Sequence, residues 1–97
     1  MSFGWFDATE AKEFGASLAR FHIEKIPLAE TDKRKKASHK RQKSLSQMFQ
    51  KMAQFKREHK LNIYKKAQLG NAFRWTMQEA GYDPRYIEEI TKRLMLV

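Results

Sequence analysis

From Leu45 to Phe55 the apolar side chains fall at intervals of three and four. Leu45, Met48, Phe49, Met52 and Phe55 share one side of a helix, while Gln47, Gln50, Lys51, Gln54, Lys56 and Arg57 lie mostly on the other. This spacing matches the helical period of 3.6 residues and not the period of two that a half-buried strand requires. The same rhythm recurs elsewhere. Ala11, Phe14, Leu18, Phe21 and, one step out of register, Ile26 predict a helix over about 8–26, stopped by Pro27. Asp7, with Glu10 three residues on, reads as its N-cap, and Phe6 as a staple onto Ala11. The segment "PLAETD" is a linker in which Thr31 or Asp32 can cap the next helix.

A third helix, over 63–80, opens at Asn62 and carries Leu69, Phe73, Met77 and Ala80 on one side. Tyr64, Ala72 and Trp75 lie on another, and two apolar sides imply two neighbours. Trp75 either packs under Phe3, Trp5 and Phe6, the preferred reading, or lies on a self-association surface. Gly81 reads as a left-handed cap that sets Tyr82 against Met77. Asp83 and Pro84 then open a fourth helix, over 84–96, with Ile87, Ile90, Leu94 and Val97 as its stripe. No segment alternates as a strand. The expected fold is an all-α, single-domain bundle of about four helices spanning 1–97.

A chain of 97 residues can bury one modest core, and a hydrophobic content of 41% with seven Phe, two Trp and three Tyr supplies it. With no Cys, disulfide and thiolate chemistry are excluded. "MSFGWFDATE" lacks a basic leader and its apolar run ends at Asp7, so a signal peptide is not expected. No apolar run approaches the roughly 20 residues that a bilayer demands, so membrane insertion is not expected either. A cytoplasmic location is the expectation, or a nuclear one in a nucleated host.

Charge is distributed very unevenly. Residues 1–32 hold three bases against six acids, and 67–97 hold four of each. Residues 33–66 hold thirteen Lys or Arg against Glu58 alone, so the net charge of +9 comes from this third of the chain. Its densest part, "KRKKASHKRQK" at 33–43, has seven bases and no acid. Lys, Arg and Gln favour helix, so helix two is read as starting between Lys33 and Ser44 and running to about 60. Within 33–43 only Ala37 is apolar, and cations such as Lys36, Lys40 and Lys43 repel one another at three- and four-residue spacing. This basic segment is therefore expected to fray or project, or to extend helix two.

Cations packed this densely suit a polyanion, whose phosphates relieve the repulsion while condensed counterions are released. The candidate contacts are Lys33, Arg34, Lys35, Lys36, Lys40, Arg41 and Lys43, continued by Lys51 and Arg57, with DNA or RNA as partner and little sequence preference. A helix-turn-helix built on "AGYDP" is disfavoured. The reading end of its second helix would present Asp83, Glu88 and Glu89 beside Arg85, and carboxylates repel phosphates. The alternative function is a protein-interaction or oligomerisation module, including a weak homodimer, in which the acidic first helix of one chain meets basic helix two of another.

Catalysis is not expected. His22, His39 and His59 are seventeen and twenty residues apart, without metal-ligand spacing. Glu88 and Glu89 are adjacent and cannot share a helix face as an acid/base pair. No phosphate-cradling glycine loop, dinucleotide turn or nucleophile elbow occurs. No cofactor, metal or small-molecule substrate is expected.

Overall fold

The computed structural model describes residues 7–28 and 38–97. Among them are four helices, α1 (Thr9–Lys25), α2 (Ser38–Glu58), α3 (Ile63–Glu79) and α4 (Pro84–Met95), and no strand. Their apolar faces meet in one cluster, whose most enclosed side chains include Leu18, Met48, Met52, Leu69, Phe73, Met77 and Leu94. The fold is the all-α bundle that the periodicity predicts.

Local rules set most of the helix ends. Asn62 Oδ1 accepts the Lys65 N–H at 2.7 Å, capping α3. At the other end Gly81, with φ +90°, lets the Tyr82 N–H reach the Met77 carbonyl at 3.2 Å and the Gly81 N–H reach Gln78 at 3.0 Å. These two bonds form a Schellman cap, and they drop Tyr82 into the core. Asp83 Oδ2 accepts from the Arg85 and Tyr86 N–H groups at 3.0 and 3.3 Å, and Pro84 fills the first helical position of α4.

At α1 the cap differs from expectation. The N-cap position is Ala8, whose carbonyl accepts the Lys12 N–H, and Asp7 stands one residue outside it. Its carboxylate accepts the Thr9 N–H at 3.2 Å, and this bond, with a smaller contribution from Lys65, lowers its pKa. Phe6, the expected staple, lies outside the described residues, as do Thr31 and Asp32.

The buried face of α1 is also rotated from the expected stripe. Ala11, Gly15, Leu18, Ala19 and His22 are buried, whereas Phe14 and Phe21 are only half-buried. The reason is steric. A Cβ at Gly15 would collide with the Leu69 carbonyl oxygen and come within 3.3 Å of the Ala72 Cβ, so α1 and α3 approach along their smallest residues. The large rings are displaced to the flank, where Phe14 stacks on Phe55 of α2 with centroids 4.1 Å apart.

The stripes of α2 and α4 match expectation more closely. Leu45, Met48, Met52 and Phe55 are buried on α2, with Phe49 half-buried, and Ile87, Ile90 and Leu94 are buried on α4. On α3, Ala80 is exposed at the C-cap, and Trp75 is 63% exposed rather than packed. Phe3, Trp5 and Phe6 lie outside the described residues. The main neighbours of α3 are α1 and α4, with Ala72 as well as Leu69 facing Gly15 of α1. A bidentate pair of Arg74 with Glu88, at 3.1 and 3.2 Å, ties α3 to α4 at the surface.

Two substitutions test this packing by denaturant unfolding. Gly15→Ala should destabilise by about 1–3 kcal/mol, because backbone must move to admit the methyl group. Phe73→Ala, at a fully enclosed ring, should cost about 3–5 kcal/mol, and Phe14→Ala or Phe49→Ala distinctly less. A neutral Gly15→Ala would mean that α1 and α3 do not approach this closely.

Candidate nucleic-acid interface

Because one side of α2 is committed to the core, the remaining arc faces solvent along the helix. Lys40, Lys43, Lys51 and Arg57 are all exposed on it. Lys33, Arg34, Lys35 and Lys36 lie outside the described residues. Helix starts by Ser38, within the range read from the sequence, so Lys40, Arg41 and Lys43 belong to α2 itself.

The structure brings some of these bases together with a residue that the charge pattern did not single out. Lys25, in the last turn of α1, joins Lys40, Lys43, Ser44 and Gln47 around a cavity of about 220 Å³. Among the described residues no carboxylate lines it. Lys51 is placed differently, with its Nζ 4.9 Å from the centroid of the Phe21 ring, and Lys25 Nζ lies 5.6 Å from that same centroid. Lys56 donates to the Val97 carbonyl oxygen at 2.6 Å.

Arg41 turns inward. It is half-buried, its guanidinium lies 5.6 Å from the centroid of Tyr86, and its buried Nε has no hydrogen-bond partner. Helical phase explains this, since Arg41 precedes Leu45 by four and Met48 by seven and so falls on the core stripe. That phase is readable from the sequence but is obscured by the basic run around it.

Beside Arg41 lies a polar node that the sequence did not disclose. His22 is fully buried on α1, with Nδ1 2.9 Å from Ser44 Oγ of α2 and Nε2 2.7 Å from Tyr86 Oη of α4. A neutral imidazole has one donor and one acceptor, and two hydroxyls satisfy both. Burial, then the nearby Arg41 charge, lowers the His22 pKa to about 4. Burial raises the Tyr86 phenol to about 12, opposed in part by Arg41. The node is structural in geometry, holding three helices together.

Other titratable groups are more dispersed. His59 Nε2 is 3.5 Å from Glu10, and its ring continues the Phe14–Phe55 stack at 4.1 Å from Phe55. Among the described residues no group of three or more His, Asp or Glu is placed to hold a metal ion, and no helix is long and apolar enough to cross a membrane. Compared with known proteins, the chain matches no family model, no curated protein and no solved structure.

The His22 node predicts a pH dependence. The unfolded histidine takes up a proton near pH 6.5, whereas the folded one resists until about pH 4, so between these values the unfolded state binds more protons. Stability should therefore be full above about pH 6.5 and fall by about 3 kcal/mol as the pH drops toward 4. His22→Gln should flatten this part of a plot of unfolding free energy against pH. An unchanged slope in the variant would show that another group carries the acid sensitivity.

Proposed function

We propose that the chain is a small helical module that binds nucleic acid through its phosphates, largely without regard to sequence. The observation that carries this reading is the concentration of thirteen bases against one acid in residues 33–66. Lys40, Lys43, Lys51 and Arg57, exposed along α2, support it, and Lys33, Arg34, Lys35 and Lys36 extend the charge in sequence. Contacts of this kind position a backbone and do not read base edges. Arg41, held on Tyr86, plays the smaller part. The α3–α4 hairpin is not the reading element, because Glu88 is paired with Arg74 and Glu89 is exposed beside it.

A second reading has its own observation. Glu10, Glu13 and Glu24 are exposed on α1, while Trp75 stands out from α3. An acidic face and a basic helix on one molecule allow two copies to associate head to side. Under this reading the module serves assembly instead of polyanion binding.

Replacing Lys35, Lys36, Lys40 and Lys43 by Gln should leave the melting temperature nearly unchanged, since Gln keeps helix propensity. Duplex binding should weaken similarly for unrelated sequences, with the salt slope reduced by about 0.9 for each phosphate no longer neutralised. Arg41→Gln alone should leave that slope unchanged. Retained affinity and slope in the quadruple variant would overturn the proposal. The second reading expects a weak dimer by sedimentation at low salt, dissociating as the Debye length falls from about 30 Å to 8 Å, and a monomer throughout would remove it.

A further inference from the structure

We propose that the nucleic acid bound is a single strand lying along the groove between α1 and α2, with one phosphate in the Lys25, Lys40 and Lys43 cavity and the adjoining bases against Phe21 and Phe14. This rests on the phosphate-binding reading above and adds to it a path, a strand preference and Lys25 as a contact.

Three observations converge on the groove. The cavity where the end of α1 meets the start of α2 gathers three lysines and the Gln47 amide, with no carboxylate among the described residues of its lining, a donor set suited to one phosphate. The cations come from two helices, so the site is made by the fold and not by the basic run alone. Next along the groove is a wider cleft of about 550 Å³, lined by Phe14, Phe21, Phe55 and Lys51 among others. In it Phe14 and Phe21 are half-buried, and so keep part of their ring surface open to solvent.

Phe21 joins the two spaces. Lys25, which lines the first, and Lys51, which lines the second, both hold their ammonium groups over its ring, at 5.6 and 4.9 Å. Two cations resting on one ring are held weakly and repel each other. A strand's phosphates draw both amines outward, pair with them, and uncover the ring for a base. Stacking of this kind needs unpaired bases, because in a duplex the base faces are already stacked on one another. At the far end of the cleft Glu58 is hydrogen-bonded to Gln54 at 3.0 Å. That carboxylate disfavours phosphate there, so the backbone keeps to the lysine end while bases occupy the aromatic part.

The test uses the full chain, an oligo-dT and a mixed-sequence duplex of equal length, with fluorescence anisotropy across a salt series. The single strand should bind roughly tenfold more tightly or better. Lys25→Gln should lower its salt slope by about 0.7 with no change in melting temperature. Phe21→Leu should weaken single-strand binding roughly tenfold and leave duplex binding and both salt slopes intact. Equal affinity for the two forms, or an unaltered slope in Lys25→Gln, overturns the groove path. If in that case the quadruple Gln variant still loses affinity, the phosphate reading survives without it. Absence of binding to either form at low salt overturns both. Lys25 is exposed and outside the core, so that arm decides the matter even where Phe21→Leu disturbs folding.

Discussion

The Leu69 carbonyl oxygen occupies the space where a side chain at position 15 would begin, and much of the rest follows from that contact. Only glycine lets the two backbones come so close, and with Ala11 and Ala19 it makes the inner face of α1 a row of small residues. A helix seated on its small residues must carry its large ones at the side. Phe14 and Phe21 accordingly leave the centre of the core and form the wall on which α2 lies. The apolar stripe of α2 seats on that wall, and its helical phase then turns Lys40, Lys43, Lys51 and Arg57 to solvent. A backbone approach between α1 and α3 thus sets the surface of α1 that α2 packs against.

The apolar contacts of α2 lie mostly in its second half, and its basic first turns carry little that can be packed. The His22 node supplies the missing attachment, since Ser44 sits only one residue beyond Lys43 and is locked to α1 through the imidazole. Such bonds contribute modestly when made, about 1 kcal/mol net each, but a buried group left without its partner costs about 1–3 kcal/mol. The node therefore acts less as a source of stability than as a penalty on every other register of α2. Tyr82 works similarly at the next junction, donating its hydroxyl to the Ile26 carbonyl at 2.6 Å and so satisfying the end of α1 from the α3–α4 turn.

What the sequence disclosed follows the range of the physics involved. Asn62, Gly81, Asp83 and Pro84 act on backbone within a few residues of themselves, so their roles are legible one position at a time. The stripes of α2 and α4 are legible because one face of each is continuously apolar. The face of α1 is not, because Phe14 and Phe21 look like core until one knows that α3 approaches at Gly15. His22, Ser44 and Tyr86 lie on three helices and become a unit only when those helices meet, and no spacing announces that. For the candidate interface, the exposure of Lys40, Lys43, Lys51 and Arg57 follows from helical phase. Lys25 is not legible in this way, because it belongs to an acidic region and reaches the cavity only through tertiary packing. Arg41 reads as one of a basic run, although its phase sets it against the core.

Where the bases of this surface have described contacts, they lean on ring faces and a carbonyl and not on carboxylates: Lys25 and Lys51 on Phe21, Arg41 on Tyr86, Lys56 on Val97. An exposed cation over a ring gains about 0.5–1 kcal/mol, a modest sum for an incoming phosphate to replace. Had these lysines been paired with glutamates, a polyanion would first have to displace a like charge and leave it nearby, and much of the electrostatic gain would disappear. Among the described residues the acids other than Glu58 are instead kept on or just before α1 and in the α3–α4 hairpin, where Glu88 already has Arg74. Separating the signs leaves mutual repulsion among the bases of α2, tolerable because its lysines are long and solvated. An anionic chain lying along the helix, as in the proposed function, would relieve that same repulsion, so the feature that strains the free protein is the one that would favour the proposed complex.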